Sequence, residues 1–117
     1  MRTLIALFFL LAAAGAEAAC TRPAEPAPSV PDGNTADDAA MQAAHDRVQA
    51  YVNTLEAYQA CLKKQAADAP ADTPPELKGV WLAQGDAAID VAEASAADFA
   101  VALKAFKAHS PQPQAKK

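Results

Sequence analysis

From residue 36 to residue 66 the apolar positions Met41, Ala44, Val48, Tyr51, Leu55, Tyr58 and Leu62 alternate three and four apart, with mostly polar residues or alanine between them. Three and four bracket the 3.6-residue turn, so this is the seam of a helix packed against another helix. A second stretch carries Leu77, Trp81, Ala88, Val91, Phe99, Ala102 and Phe106 at intervals close to 3.6, with Gln84 and Ser95 interrupting the stripe. It predicts a second long helix.

Local signals place the ends. Thr35 with Asp38 reads as a capping box, and Asp37 and Asp38 complement the positive N-terminal end of the helix dipole. Lys63 and Lys64 complement the negative end. In the segment "AADAPADTPPE" Pro70 stops the first helix, and Thr73, Pro74 and Glu76 serve as cap, first-turn proline and capping-box acid of the next. The helices are therefore expected over about residues 36–66 and 74–108. A connection of fewer than ten residues makes them antiparallel neighbours. The fold class is all-α: an antiparallel two-helix hairpin over residues 35–109, followed by a polar tail over 110–117.

Ahead of the hairpin the pattern changes twice. Residues 19–34 include "CTRPAEPAPSVPDGN", with four prolines and one large apolar residue, Val30. Such composition gives a Pro-rich extended N-terminal arm of polyproline type, closed by a turn at Pro31-Asp32-Gly33. Before it, Met1 and Arg2 precede the 11-residue apolar run "LIALFFLLAAA". Eleven residues are too few to span a bilayer but suit a signal peptide, with Ala16-Glu17-Ala18 as the A-x-A site. Residues 1–18 are read as a cleaved leader, with cleavage between Ala18 and Ala19. Ala14-Gly15-Ala16 is an earlier alternative site, and an uncleaved anchor is the competing reading.

Charge and composition then narrow the partners. Removing Arg2 and Glu17 with the leader leaves nine Lys and Arg against thirteen Asp and Glu, from 10 and 14 in the whole chain. A mildly acidic chain without a basic face does not fit a nucleic-acid binder. Much of the apolar fraction is alanine, which favours helix but buries little area per residue. The core is thus expected to be narrow, with Val52 and Ile89 beside the seams. Self-association into a four-helix arrangement, as a homodimer, or coverage by the proline arm would relieve that exposure.

Cys20 and Cys61 are the two cysteines. With the seam Met41 through Leu62 of the first helix at the a and d positions of a heptad, Cys61 falls at a g position, on the flank of the seam and open to a strand lying alongside. From Thr35 back to Cys20 the arm covers roughly 46 Å at about 3.1 Å per residue. Thr35 to Cys61 along the helix is about 39 Å at 1.5 Å per residue. The arm can double back with slack and place Val30 over the exposed flank. A Cys20–Cys61 disulfide closing such a loop contributes roughly 4 kcal/mol in the chain-entropy estimate, and an exported chain meets the oxidising conditions it needs. Free thiols or an intermolecular bridge are the alternative outcomes. Cys20 has a further one: Ala18-Ala19-Cys20 matches the end of a lipoprotein signal, although Glu17 stands where that pattern has leucine. A membrane partner follows only if Cys20 is lipidated.

Candidate chemistry is sparse. His45 and His109 sit at chain-distant ends that an antiparallel hairpin brings together, with Asp46 as a third donor. A zinc site needs three or four ligands in definite geometry, however, and HxxxH and CxxC spacings are absent. No metal and no cofactor is expected. Asp86, Asp90, Glu93 and Asp98 repeat along the second helix. Paired carboxylates do acid–base work only in a pocket that separates their pKa values, so here they read as a solvated face. Trp81, Phe99, Phe106, Tyr51 and Tyr58 read as core. Neither a Ser-His-Asp set nor a glycine-rich phosphate loop is present, and no catalytic residue is assigned.

The order of "RPAEPAPSVPDG", Ala36, Met41, Val48 with Tyr51, "YQACL" and "FAVALKAFK" resembles a group of small exported helical-hairpin proteins of Gram-negative bacteria. The resemblance covers most of the mature chain. It is carried by Pro31-Asp32-Gly33 before the first helix, Tyr58 with Cys61-Leu62 within it, and Phe99, Phe106 and Lys107 near the end. It departs at Ala100, where the group often has Asn. Because that group carries no assigned activity, the resemblance implies an envelope location and a helical hairpin, and transfers no catalytic residue. The expected role is an exported, non-enzymatic interaction or structural module of the periplasm, or a secreted one, that meets an unidentified envelope protein. A lipid-anchored envelope protein, or a carrier of a small ligand or metal between the helices, are the alternatives.

Overall fold

A computed structural model describes residues 20–109. The expected leader over 1–18, its cleavage point between Ala18 and Ala19, and the tail over 110–117 lie outside the described residues. Among the described residues two helices make up the regular structure, α1 (Asp38–Asp68) and α2 (Pro75–His109), packed on each other as a hairpin. The all-α reading holds. At 31 and 35 residues they run about 46 and 52 Å at 1.5 Å per residue.

The α1 seam is the one its spacing predicts: Met41, Ala44, Val48, Tyr51, Leu55, Tyr58 and Leu62 are all buried. The α2 seam differs. Gly85, Ala88, Ala92, Ser95 and Ala102 are its buried residues, so the interruption read at Ser95 belongs to the contact. Trp81, Val91, Phe99 and Phe106 are only half-buried, and Leu77 is 42% exposed. Trp81, Gly85, Ala88, Ala92, Ser95, Phe99, Ala102 and Phe106 step four and three apart, the same heptad as α1. Size explains why the apolar pattern missed it. Tyr51, Leu55, Tyr58 and Leu62 fill the space left by Ala88 and Ala92 in one cluster, with Cys20, Val52, Trp81 and Val91 packed against its edge. Large side chains on one helix thus meet small ones on the other, which lets the axes approach closely.

The caps also shift. Asp37, at φ −90° and ψ 173°, is the N-cap of α1, and its carboxylate accepts from the Ala40 amide at 2.8 Å. Thr35 cannot cap, because its amide and that of Ala36 both donate to the Asp32 carbonyl and its hydroxyl turns back to the same oxygen. The helix therefore starts two residues later than expected. It also ends later, at Asp68, so Lys63 and Lys64 fall short of its last turn, and Lys64 pairs with Asp68 instead. The connection turns at Pro70, whose carbonyl accepts from Thr73. Pro75, not Pro74, is the first residue of α2. The Pro74 carbonyl accepts from the Leu77 and Lys78 amides, and proline in the first turn forfeits no helical bond.

Candidate functional site: the disulfide-tied arm

The arm from Cys20 to Pro31 has no regular secondary structure and is anchored at both ends. At the first end Cys20 is disulfide-bonded to Cys61, with Cα atoms 5.8 Å apart and 41 residues of separation. Cys61 stands on the exposed flank of α1 where the heptad put it, and Cys20 is half-buried against the core cluster. The Cys20 amide donates to Gln65 Oε1 at 3.5 Å, one helical turn beyond the bond.

At the second end the chain forms a compact turn around Asp32. The Asp32 carboxylate accepts from the Asn34 amide at 2.9 Å and from its side-chain Nδ2 at 3.0 Å, while its carbonyl accepts from the Thr35 and Ala36 amides. An aspartate folding the backbone two residues on is an Asx-turn. Gly33 has a different role from the one its turn position suggests. No described glycine adopts a positive φ, so freedom of backbone rotation is not what the site requires. A Cβ at Gly33 would instead collide with the Ala102 carbonyl, 2.8 Å from its carbon, and would lie 2.9 Å from the Phe106 nitrogen. One Cα hydrogen of Gly33 therefore points at the Ala102 oxygen, the close Cα–H···O approach that only glycine permits.

Between these anchors Pro23, Pro28, Val30 and Pro31 are half-buried, and the residues around them are exposed. Beside the turn lies an open recess of about 260 Å³ lined by Val30, Asp32, Asn34, Asp98 and Val101 among others. It sits between the arm and α2, not between the helices, whose seam is filled by side chains.

The histidines do not meet. His45 stacks at a tilt on Phe99, with ring centroids 5.8 Å apart, and its Nδ1 lies 3.3 Å from Asp46 Oδ1. His109 lies ten residues beyond Phe99, about 15 Å along the axis. Its Nδ1 donates to the Ala105 carbonyl at 2.9 Å and closes the C-terminal end of α2. The reason is register: His45 lies two turns inside α1, opposite Phe99, and α2 runs on past that level to end at His109. Among the described residues no group of three or more metal-ligating side chains comes together. Asp86, Asp90, Glu93 and Asp98 are all exposed. Asp86 accepts from Gln59 Nε2 at 3.2 Å across the two helices, next to Gly85, whose missing side chain leaves room for Gln59.

Sequence reading missed Gly85, Ala92 and Ser95. The signal that finds them is the heptad continued from Trp81 regardless of residue size. The Ser95 hydroxyl is buried without a hydrogen-bond partner. Comparisons with protein-family models, curated proteins and solved structures return no match.

Proposed function

We propose that the mature chain is an exported, non-enzymatic interaction or structural module of the cell envelope, working in the periplasm or outside the cell. The observation that carries this reading is the Cys20–Cys61 bond. It joins a residue two positions after the expected cleavage point to the last third of α1, and a disulfide of that kind persists only in an oxidising compartment. No helix among the described residues is long and apolar enough to cross a membrane. Leu77 and Val80, three residues apart on one face of the first turns of α2, stand 42% and 50% exposed beside the interhelical connection. Such a patch at one end of a thin hairpin favours contact with another protein, either an envelope partner or a second copy of the chain.

Lipid anchoring through Cys20 and the disulfide exclude one another, because both use the same sulfur. Intact mass of the protein purified from its native envelope separates them. The expected species begins at Ala19 and is lighter by two hydrogens than its reduced form. A diacylglyceryl adduct on Cys20, or a chain with both thiols free in the cytoplasm, overturns the proposal. Sedimentation of the same material at tens of micromolar tests the second-copy partner, and a monomer with a concentration-independent melt excludes it.

A further inference from the structure

We propose that the arm is a redox-released strap: breaking the Cys20–Cys61 bond frees the segment up to the Asp32 turn while the helical hairpin stays folded. Three observations carry this. First, every buried apolar residue of the core lies in α1 or α2: Met41, Ala44, Val48, Tyr51, Leu55, Tyr58 and Leu62 on one side, Ala88, Ala92 and Ala102 on the other. Against that cluster the arm contributes Cys20 at its edge, and Pro23, Pro28, Val30 and Pro31 are no more than half-buried. Second, residues 22–31 make no hydrogen bond or ion pair with the helices among the described residues. Their order rests on the two ends, the first held by the disulfide, the Cys20 amide on Gln65 Oε1 and an interaction of Thr21, and an ordered chain without bonds of its own is entropically costly once the covalent one is lost. Third, Cys61 is solvent-exposed, which puts one half of the bond within reach of an external thiolate.

The chemistry is a two-step exchange with a dithiol. Its thiolate attacks Cys61 Sγ, the S–S bond breaks, and Cys20 leaves as a thiolate that takes up a proton. The second thiolate of the reagent then attacks the mixed disulfide, forms a cyclic disulfide and expels Cys61, which is protonated in turn. Two electrons and two protons pass from reagent to protein. With Cys20 released, the edge of the cluster around Tyr58 and Leu62 loses its cover. The Gly33 turn remains seated on Ala102, so the free segment stays hinged to the molecule.

The test uses the oxidised mature protein and dithiothreitol, with the thiols alkylated after reduction to prevent return. Backbone ¹⁵N heteronuclear NOEs at Ala24, Glu25, Ala27 and Ser29 are compared with those of α1 and α2, alongside far-UV circular dichroism. The strap predicts that the arm NOEs fall from near helix values to near zero on reduction, with the helical signal kept and a lower melting temperature. The double variant Cys20→Ser/Cys61→Ser should reproduce the reduced state and ignore the dithiol. Arm NOEs that survive reduction would show that the arm docks without its bond. Loss of helix on reduction, or a double variant that does not fold, would make the bond a staple of the whole fold. Either result overturns the strap.

Discussion

Replacing Gly33 by alanine tests whether the turn is seated on α2 as closely as the backbone positions imply. The added methyl would meet the Ala102 carbonyl group and the Phe106 nitrogen. Both belong to helix backbone, which cannot rotate away as a side chain can, so the turn must lift. Overpacking of this kind costs about 1–3 kcal/mol. Alanine also narrows the unfolded ensemble, which returns about 0.4–1 kcal/mol. The net expectation is a loss of about 1–2 kcal/mol, or a melting temperature lower by about 5–15 °C for a domain of this size. Gly79→Ala is the control, because nothing lies within 4 Å of its would-be Cβ. It should gain close to the full helix-propensity difference of about 1 kcal/mol. Gly85→Ala should fall between them, since its methyl meets the flexible Gln59 Cγ at 3.0 Å. Thermal melts followed by far-UV circular dichroism on the oxidised protein measure all three. If Gly33→Ala melts at or above the parent protein, the close approach of the turn to α2 is wrong.

The seam and the caps offer further checks by urea denaturation. Ser95→Ala should stabilise by about 1 kcal/mol, since it removes a buried hydroxyl that has no partner and improves helix propensity; a destabilised variant would mean that the hydroxyl has a partner after all. Leu55→Ala, at 2% exposure, should cost about 2–5 kcal/mol, whereas Leu77→Ala at 42% exposure should cost well under 1 kcal/mol. Equal costs at the two leucines would contradict the asymmetry of the seam. Asp37→Ala should cost about 1 kcal/mol through the lost bond to the Ala40 amide, with Thr35→Ala close to neutral; the reverse order would restore Thr35 as the cap.

What the linear pattern determined by itself is the hairpin, the α1 seam and the position of Cys61. A three-four repeat of large apolar residues has one face and one stable way to bury it, so Met41 through Leu62 could be assigned without a partner in view. Cys61 then followed from helical geometry, and its reach to Cys20 from the length of an extended chain. The tertiary structure decided the rest. A seam built of Gly85, Ala88, Ala92 and Ser95 carries almost no hydropathy contrast, because its members are chosen for the room they leave to Tyr51, Leu55, Tyr58 and Leu62 on the other helix. Register is likewise a property of the pair. It sets Phe99, not His109, beside His45; the cap of α1 moves for a local reason, because Asp32 captures the amides of Thr35 and Ala36 before the helix can begin. Gly33 shows the same division at a single residue. The sequence marks a turn there, but the reason no side chain fits is the backbone of α2, which lies 69 residues further along the chain at Ala102.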